Sequence, residues 1–236
     1  MLKIDGVVAG YGGTTIVQGV SLEVPAGECA VLVGPNGHGK TTLLRAISGL
    51  IKVRDGGIAF DGEDITRERA EKIVERGLIH IPQGDLVFPD MTVAENLQLG
   101  AFTKSAARQS KARLEEVYDI FPRLREREGQ RARTLSGGER RMLAIGRGLM
   151  GDAKLIMIDE PSLGLAPVIV DEVYRQLRRI VDSGMTVLLV EENFRRGQSL
   201  ADRIHLVENG EIVRSGQADE VLDDQAVRET YLGVAE

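Results

Sequence analysis

The chain contains Gly34-Pro35-Asn36-Gly37-His38-Gly39-Lys40-Thr41, a segment that decides its fold class. This segment, called the phosphate loop below, matches the pattern G-x-x-x-x-G-K-[S/T]. It follows a run typical of a strand, residues 28–33, and opens an amphipathic helical pattern that ends near Gly49. In this context the glycines let backbone amides point at phosphate oxygens, and the helix N-terminus adds partial positive charge. An ordinary glycine-rich turn is the alternative, but the strand and helix together favour nucleotide binding in an α/β domain.

The residues of the phosphate loop have separate expected roles. Its backbone is expected to surround the nucleotide phosphates at Gly34, Asn36, Gly37 and Gly39. Lys40 should reach the β- and γ-phosphates and take part in catalysis. The Thr41 hydroxyl should ligate Mg²⁺, with Thr42 one residue further into the same anion site. His38 also lies in the loop, and we expect it to face solvent rather than to act in catalysis.

A second group of candidate residues closes the apolar run 155–158 with two carboxylates, Asp159 and Glu160. Ligands of open parallel sheets bind at the carboxyl ends of the strands, so both acids should lie beside the phosphate loop. Asp159 is expected to hold Mg²⁺ directly or through water, and Glu160 to polarise the attacking water as a general base. The alternative is a pair of helix-capping acids before Pro161-Ser162, which the presence of the phosphate loop disfavours.

The rest of the chain alternates short apolar runs with helical patterns. The runs predict strands at 1–5, 17–24, 28–33, 57–60, 78–81, 154–158 and 185–190, followed by a hairpin at 204–214. The helical patterns predict helices at 67–76, 93–99, 104–120, 137–150 and 167–181. Between Gly84 and Met150 the β signal disappears, which indicates a helical insertion. We therefore predict an α/β fold with a mostly parallel core sheet and right-handed crossovers.

Bulk properties limit the function. The 236 residues suffice for one large α/β domain. A net charge of −6 and a pI near 5.3 give no reason to expect nucleic-acid binding. The single cysteine, Cys29, excludes an internal disulfide and fits a reducing cytoplasm. We expect no signal peptide, and no stretch approaches the roughly 20 apolar residues that span a bilayer, so other chains would supply any membrane-spanning helices.

Another glycine-containing segment, Leu135-Ser136-Gly137-Gly138-Glu139, resembles the LSGGQ signature of ATP-binding-cassette (ABC) ATPases. The resemblance extends over nearly the whole chain, and the motifs follow the order of the family. Ser136, Gly137 and Gly138 begin a helix and would form a second anion-binding site. The resemblance implies a head-to-tail dimer in which each signature segment covers the ATP held by the partner's phosphate loop.

The family resemblance also implies a division of the chain. It implies the P-loop NTPase fold of ABC ATPases, with a mostly parallel core sheet, an antiparallel N-terminal β part and an inserted helical subdomain. A single ABC ATPase domain would span 1–236, with a RecA-like core and β subdomain at 1–83 and 151–236 and the helical subdomain at 84–150.

Individual positions can be compared with the family. Tyr11 lies where an aromatic ring stacks on adenine, and Gln83 lies where a glutamine contacts Mg²⁺ and the attacking water. Residues 162–165 lack the Asp that the family places across the dimer interface. Glu192 occupies the position of a histidine that contacts the γ-phosphate. Because an ionised Glu can only accept hydrogen bonds and repels phosphate, we hypothesise that this chain's own ATP site hydrolyses weakly.

Three segments, at 88–97, 160–167 and 190–193, resemble the ATPases of branched-chain amino-acid importers. The resemblance implies ATP and Mg²⁺ as cofactors and ATP hydrolysis that drives amino-acid uptake. It implies a paralogous ATPase subunit as partner, with a homodimer as the alternative, two membrane permeases and, indirectly, a periplasmic solute-binding protein. The chain would act peripherally at the cytoplasmic face of the inner membrane, and the surface around Phe88 to Asn96 is the candidate permease contact.

Other classes of protein with a phosphate loop fit the sequence less well. A GTPase should carry an Asn-Lys-x-Asp motif, which is absent, and a P-loop kinase has no need for the 135–139 segment. A DNA-repair ATPase of the same superfamily would need a long coiled coil or zinc cysteines. Related importers of urea, amides or other amino acids share much of the pattern. A mainly regulatory subunit, which binds ATP while its partner performs most of the hydrolysis, also stays open.

Overall fold

The computed structural model describes residues 1–84 and 86–232. Its strands are β1 (Leu2–Tyr11), β2 (Thr14–Val24), β3 (Cys29–Val33), β4 (Val53–Phe60), β5 (Glu63–Asp64), β6 (Leu78–Ile81), β7 (Leu155–Asp159), β8 (Thr186–Glu191), β9 (Arg203–Glu208) and β10 (Glu211–Gln217). Its helices are α1 (Lys40–Ile47), α2 (Ala70–Glu75), α3 (Val93–Gly100), α4 (Lys104–Ile120), α5 (Pro122–Glu126), α6 (Gly137–Leu149), α7 (Pro167–Asp182), α8 (Phe194–Gln198), α9 (Ala218–Leu222) and α10 (Gln225–Val227). A 3₁₀ turn at Ala132–Thr134 and a π-helical turn at Arg228–Leu232 complete the regular elements of the described part.

The larger sheet has the strand order β10-β9-β3-β8-β7-β6. Strands β9, β3, β8, β7 and β6 run parallel, and β10 joins the edge as the second strand of an antiparallel hairpin. Every residue of β3, β7 and β8 is buried, which is characteristic of parallel strands covered on both faces. The predictions of a mostly parallel sheet and of a C-terminal hairpin are confirmed.

The second sheet is antiparallel and contains the N-terminal strands in the order β2-β1-β4-β5. Its apolar side packs with α1 against one face of the parallel sheet, and helices α4, α6 and α7 pack against the other face. Each face of the parallel sheet therefore has its own hydrophobic core, and β7 contributes to both. Leu155 and Met157 pack on the side of the N-terminal strands and α1, whereas Ile156 and Ile158 pack on the side of α4, α6 and α7. The antiparallel N-terminal β part is therefore present as expected.

Helices α3 to α6 account for most of the segment 86–150, and α4 has the bounds predicted from the sequence. The Thr92 side chain accepts a hydrogen bond from the Glu95 amide, and the Glu95 carboxylate accepts one from the Thr92 amide, so a capping box starts α3. One β-bridge, between Thr92 and Arg131, interrupts the helical character of the segment. The division into a core and a helical subdomain stays a prediction.

The structure corrects some predicted bounds. Strand β1 continues from Leu2 to Tyr11, although the sequence predicted a strand only over 1–5. Gly6 has a positive φ of 57°, and the pairing of β1 with β2 shifts register between Ile4 and Val7. Such a bulge hides the two-residue alternation by which a strand is found. In the described part of the chain, no helix has the length and hydropathy needed to cross a bilayer.

Candidate active site

The phosphate loop connects β3 to α1 through a backbone that requires glycine. Gly37 and Gly39 have φ values of 81° and 97°, and Gly39 is the N-cap of α1. A Cβ atom on Gly34 would lie 2.1 Å from the carbonyl oxygen of Val207 in β9. The loop is thus wedged between its own helix and the neighbouring strand, with the N-terminus of α1 directed into it.

Lys40 brings the phosphate loop together with the end of β7. Its side chain is only 3% exposed, and Nζ donates hydrogen bonds to the carbonyl oxygens of Gly34 (2.7 Å) and Pro35 (3.0 Å). Nζ also lies 3.5 Å from Oε1 of Glu160. The cation expected to bind phosphate and the carboxylate expected to activate water are therefore paired in a dry environment, where their mutual attraction is strong.

Asp159 is fully buried at the end of β7, and neither carboxylate oxygen has a hydrogen-bond partner of normal geometry. Burial raises the pKa of Asp159, and the nearby Thr41 hydroxyl and the positive charges of Arg141 and Lys40 partly offset this effect. A buried carboxylate that has no hydrogen bond of normal geometry and lies next to a hydroxyl group suits a hard cation that prefers oxygen ligands. The residues present therefore fit a magnesium ion. Thr42 lies buried in the first turn of α1, one residue beyond Thr41.

Glu160 and Gln83 meet at the same point. Gln83 Nε2 donates a 2.9 Å hydrogen bond to Glu160 Oε2. Glu160 is buried and has a positive φ of 43°, an uncommon conformation for a residue other than glycine. The helix that follows, α7, begins at Pro167 after the N-cap Ala166. Asp159 and Glu160 are therefore not helix caps, and that alternative is wrong.

Glu192 lies beside the phosphate loop on an exposed turn after β8. Its Oε2 accepts a 2.8 Å hydrogen bond from Asn36 Nδ2 of the loop. The preceding residue, Glu191, is instead 1% exposed and accepts hydrogen bonds from the hydroxyls of Tyr174 and Ser162. Burial raises the pKa of Glu191, although these two hydroxyls oppose the shift. The sequence predicted β8 to end at Val190 and so did not single out Glu191.

Tyr11 and His38 make contacts that the sequence did not predict. Tyr11 is 40% exposed, and its hydroxyl accepts a 2.9 Å hydrogen bond from Arg45, which places the ring beside α1. His38 is half-buried, and Nδ1 of its ring accepts a 2.9 Å hydrogen bond from the amide of Asn209. Its carbonyl oxygen accepts another from the amide of Gly210. His38 is thus partly exposed, as expected, and it also ties the loop to the β9–β10 turn.

The signature segment 135–139 starts α6. Ser136 is the N-cap and forms a capping box with Glu139. A Cβ atom on Gly138 would lie 2.2 Å from Ile169 Cγ2 of α7, so the glycine permits close packing of the two helices. Arg127 Nε lies 2.8 Å from Glu139 Oε1 and anchors this turn from outside. The segment thus presents Ser136 and the amides of the first turn of α6, separately from the Lys40–Glu160 cluster.

Arg141 connects α6, the helix that starts with the signature segment, to the backbone beside Gln83 and Glu160. It was not among the predicted site residues. It is 2% exposed and lies in α6, four residues after Gly137. Its guanidinium donates to the carbonyl oxygens of Pro82, Gly84 and Asp159. A signal was available in the sequence, because this arginine occupies a core-facing position of an amphipathic helix, where charged residues are rare unless they have buried partners.

Comparisons with known proteins agree with this geometry. The ABC transporter family matches residues 17–163. The high-affinity branched-chain amino acid transport ATP-binding protein BraG of Pseudomonas aeruginosa is 41% identical over 233 residues, which cover 99% of this chain and 100% of BraG. The lipopolysaccharide export system ATP-binding protein LptB of Escherichia coli is 34% identical over 98% of this chain and 97% of LptB. The crystal structure of the ADP conformation of MJ1267, an ATP-binding cassette of an ABC transporter, is similar with a TM-score of 0.83 and 28% identity, covering 99% of both chains. The chain belongs to the ABC transporter family and is an ATP-binding, ATP-hydrolysing subunit of a transporter.

Proposed function

We propose that this chain hydrolyses Mg²⁺-ATP to drive uptake of branched-chain amino acids through a membrane permease. The observation that supports the substrate class is the 41% identity to BraG, which extends over the full length of both proteins. Identity over the whole length of both chains includes the surface outside the nucleotide site as well as the site itself. The work would take place at the cytoplasmic face of the membrane, where ATP is available.

The hydrolytic step follows from the buried cluster. Lys40 and the loop amides would hold the β- and γ-phosphates and neutralise charge that develops on them. Glu160, oriented by the Gln83 amide, would accept a proton from the attacking water. Asp159 and Thr41, with Gln83, would hold magnesium, which when bound supplies charge neutralisation and orients the γ-phosphate. Tyr11 would stack on the adenine.

A dimer completes the proposed site. ATPases of this family act as dimers with membrane permeases. We infer that Ser136, Gly137 and Gly138 of one chain cover the ATP on the phosphate loop of the other. A paralogous ATPase fits the unequal sites that Glu192 would create, with the homodimer as the alternative. A solute-binding protein would deliver the amino acid to the permeases.

The position of Glu192 supports the hypothesis that this chain's own site hydrolyses ATP weakly. Its carboxylate is held at the phosphate loop by Asn36, 2.8 Å away, where the γ-phosphate of ATP would approach. A carboxylate there cannot donate a hydrogen bond to the phosphate and repels its charge. The partner's site, covered by this chain's signature segment, would then perform the larger share of hydrolysis.

A groove of about 480 Å³ is our candidate for permease docking. Its walls come from β6, α2, α3, α6 and the segment after Gly84, and its rim has the exposed side chains Leu50, Leu86, Phe88, Leu99 and Phe102. The Arg147 guanidinium lies 5.3 Å from the centre of the Phe88 ring and orients it. Asn96, by contrast, is fully buried and bonds to the backbone of Phe88, so it cannot be a contact surface as expected. We propose that a cytoplasmic loop of the permease occupies this groove.

Transport measurements test the proposal. In cells of the source organism, the wild-type gene is replaced by Glu160→Gln, and uptake of labelled leucine, isoleucine and valine is measured. Uptake should fall in this variant to the share that the partner's site sustains, but it should not fall in Glu116→Gln, which removes an exposed acid of α4. Unchanged uptake of all three amino acids after deletion of the gene would exclude the proposed substrate class.

Export of lipopolysaccharide is the second candidate, supported by the 34% identity to LptB over nearly the full chain. The same two variants separate the candidates. Loss of lipopolysaccharide from the outer surface in Glu160→Gln, with normal amino-acid uptake, would favour export.

A further inference from the structure

Arg141 fixes the backbone on both sides of Gln83. Nη1 donates to the carbonyl oxygens of Pro82 at 3.0 Å and of Gly84 at 2.7 Å. Nη2 donates to the carbonyl oxygen of Asp159 at 2.7 Å, immediately before Glu160. One buried guanidinium therefore joins the two chain segments whose side chains, Gln83 and Glu160, are hydrogen-bonded to each other.

These two segments need such a support. Gly84 has a φ of 87° and Glu160 a φ of 43°, so both chains turn sharply beside the reactive side chains. Carbonyl groups at such turns lack regular backbone partners, and a side-chain donor then determines where they lie. The planar guanidinium presents several donors in a rigid fork, which a lysine with its single nitrogen cannot reproduce.

Arg141 also belongs to the helix that carries the signature segment. Four residues separate it from Gly137, which corresponds to about 6 Å along the axis of α6. A helix of this length moves as one body, so a shift of its first turn displaces the guanidinium and the three carbonyl groups that it holds. The signature turn and the hydrolytic pair are thus linked through one side chain.

We propose that Arg141 is a positioning residue that couples the signature turn of α6 to the Gln83–Glu160 pair of the same chain. Nucleotide of the partner, on engaging Ser136, would set the geometry for hydrolysis at this chain's own phosphate loop. The inference rests on the proposed dimeric function. It assigns the coupling of the two ATP sites to a defined set of three hydrogen bonds.

Kinetics of the assembled transporter give the first test. With the partner's site inactivated, turnover of Arg141→Gln and Arg141→Lys should fall about 100-fold below that of the wild-type chain, the loss expected when catalytic groups are misplaced by about 1 Å. The KM for ATP should stay within about twofold, since the phosphate loop is untouched. Arg113→Gln is the matched control, because Arg113 also donates to a buried carbonyl, that of Gly151, but far from the site. Equal losses of affinity and turnover, or wild-type turnover, would overturn the assignment.

Double-mutant cycles distinguish positioning from a general loss of stability. If Arg141 acts through Gln83 and receives its input from Ser136, then Arg141→Gln combined with Gln83→Ala or with Ser136→Ala should be far less harmful than the product of the single effects. A merely structural role predicts that the effects multiply in both cycles. Multiplicative behaviour would therefore reject the coupling.

Hydrogen exchange tests the role of Arg141 without measuring ATP hydrolysis. A slowly hydrolysed ATP analogue with Mg²⁺ should lower amide exchange at 137–141 and at Gln83 and Gly84 in the wild type. In Arg141→Gln the protection at 137–141 should persist while that at Gln83 and Gly84 is lost. Retained protection of both segments would refute the inference. Absence of turnover in the wild type would instead contradict the proposed function, and the exchange result would still decide the role of Arg141.

Discussion

Replacing Asp159 with asparagine should make the ligand-free chain more stable and the nucleotide-bound chain less stable. Asp159 is fully buried, and its two carboxylate oxygens have no hydrogen-bond partner of normal geometry. A buried, unsatisfied polar group costs about 1 to 3 kcal/mol, and more when it is charged. Asparagine has nearly the same shape but carries no charge, although its amide also stays unpaired. We therefore expect the free energy of unfolding of the ligand-free chain to rise by about 1 to 2 kcal/mol, the lower part of that range.

The gain can be converted into a shift of melting temperature. For a chain of this size each kcal/mol corresponds to about 2 to 4 °C, so the variant should melt about 2 to 8 °C higher in EDTA. Mg²⁺ with a slowly hydrolysed ATP analogue, at 100 times its Kd, stabilises the wild type by about 2.7 kcal/mol. If loss of the carboxylate weakens binding 100-fold, the same ligand stabilises the variant by only about 0.4 kcal/mol. The order of the two melting temperatures should then reverse.

The four melting temperatures can be measured by calorimetry or dye-based melting. Purified wild type and Asp159→Asn are each melted once with EDTA and once with Mg²⁺ plus nucleotide. Asp171→Asn, an exposed acid of α7, should change none of them by more than about 0.5 kcal/mol. A variant that melts below the wild type in EDTA would refute the cost assigned to the unpaired carboxylate. An equal shift with Mg²⁺-nucleotide in both proteins would exclude Asp159 as a magnesium ligand.

Three further outcomes are expected. Glu192→His should raise turnover in the assembled transporter about 10-fold or more, because a donor then faces the γ-phosphate, and unaltered turnover would count against the weak-site hypothesis. Gly138→Ala should cost about 1 to 3 kcal/mol in denaturant unfolding, since its Cβ meets α7 at 2.2 Å, whereas Gly137→Ala, with 3.6 Å of room, should cost less. Burial lowers the pKa of His80 and His205 to about 4, so folding stability should fall as pH drops from about 6.5 to about 4, and His205→Gln should flatten that dependence.

Site residues whose position depends on neighbouring residues in the sequence could be predicted from the sequence. The phosphate loop needs glycine conformations, a strand before it and a helix after it, and all three lie within consecutive residues. Strand β7 with Asp159 and Glu160, helix α4 and the β9–β10 hairpin likewise follow from short-range periodicity and turn residues. The contacts that join these segments could not be predicted in this way. Arg141 meets Pro82 over 59 positions of sequence, and Asn36 meets Glu192 over 156.

The end of β8 shows why the remaining part needs the tertiary structure. Glu191 and Glu192 are adjacent and chemically alike, yet one is enclosed by Tyr174 and Ser162 and the other faces the phosphate loop. Glu191 is the last residue of β8 and Glu192 the first residue beyond it, so strand alternation does not tell which of the two faces the nucleotide. The contacts with Tyr174, Ser162 and Asn36 make that choice. The effect of Glu192 on turnover should therefore depend on Asn36, so Asn36→Ala should change the rate of the wild type but hardly that of Glu192→His.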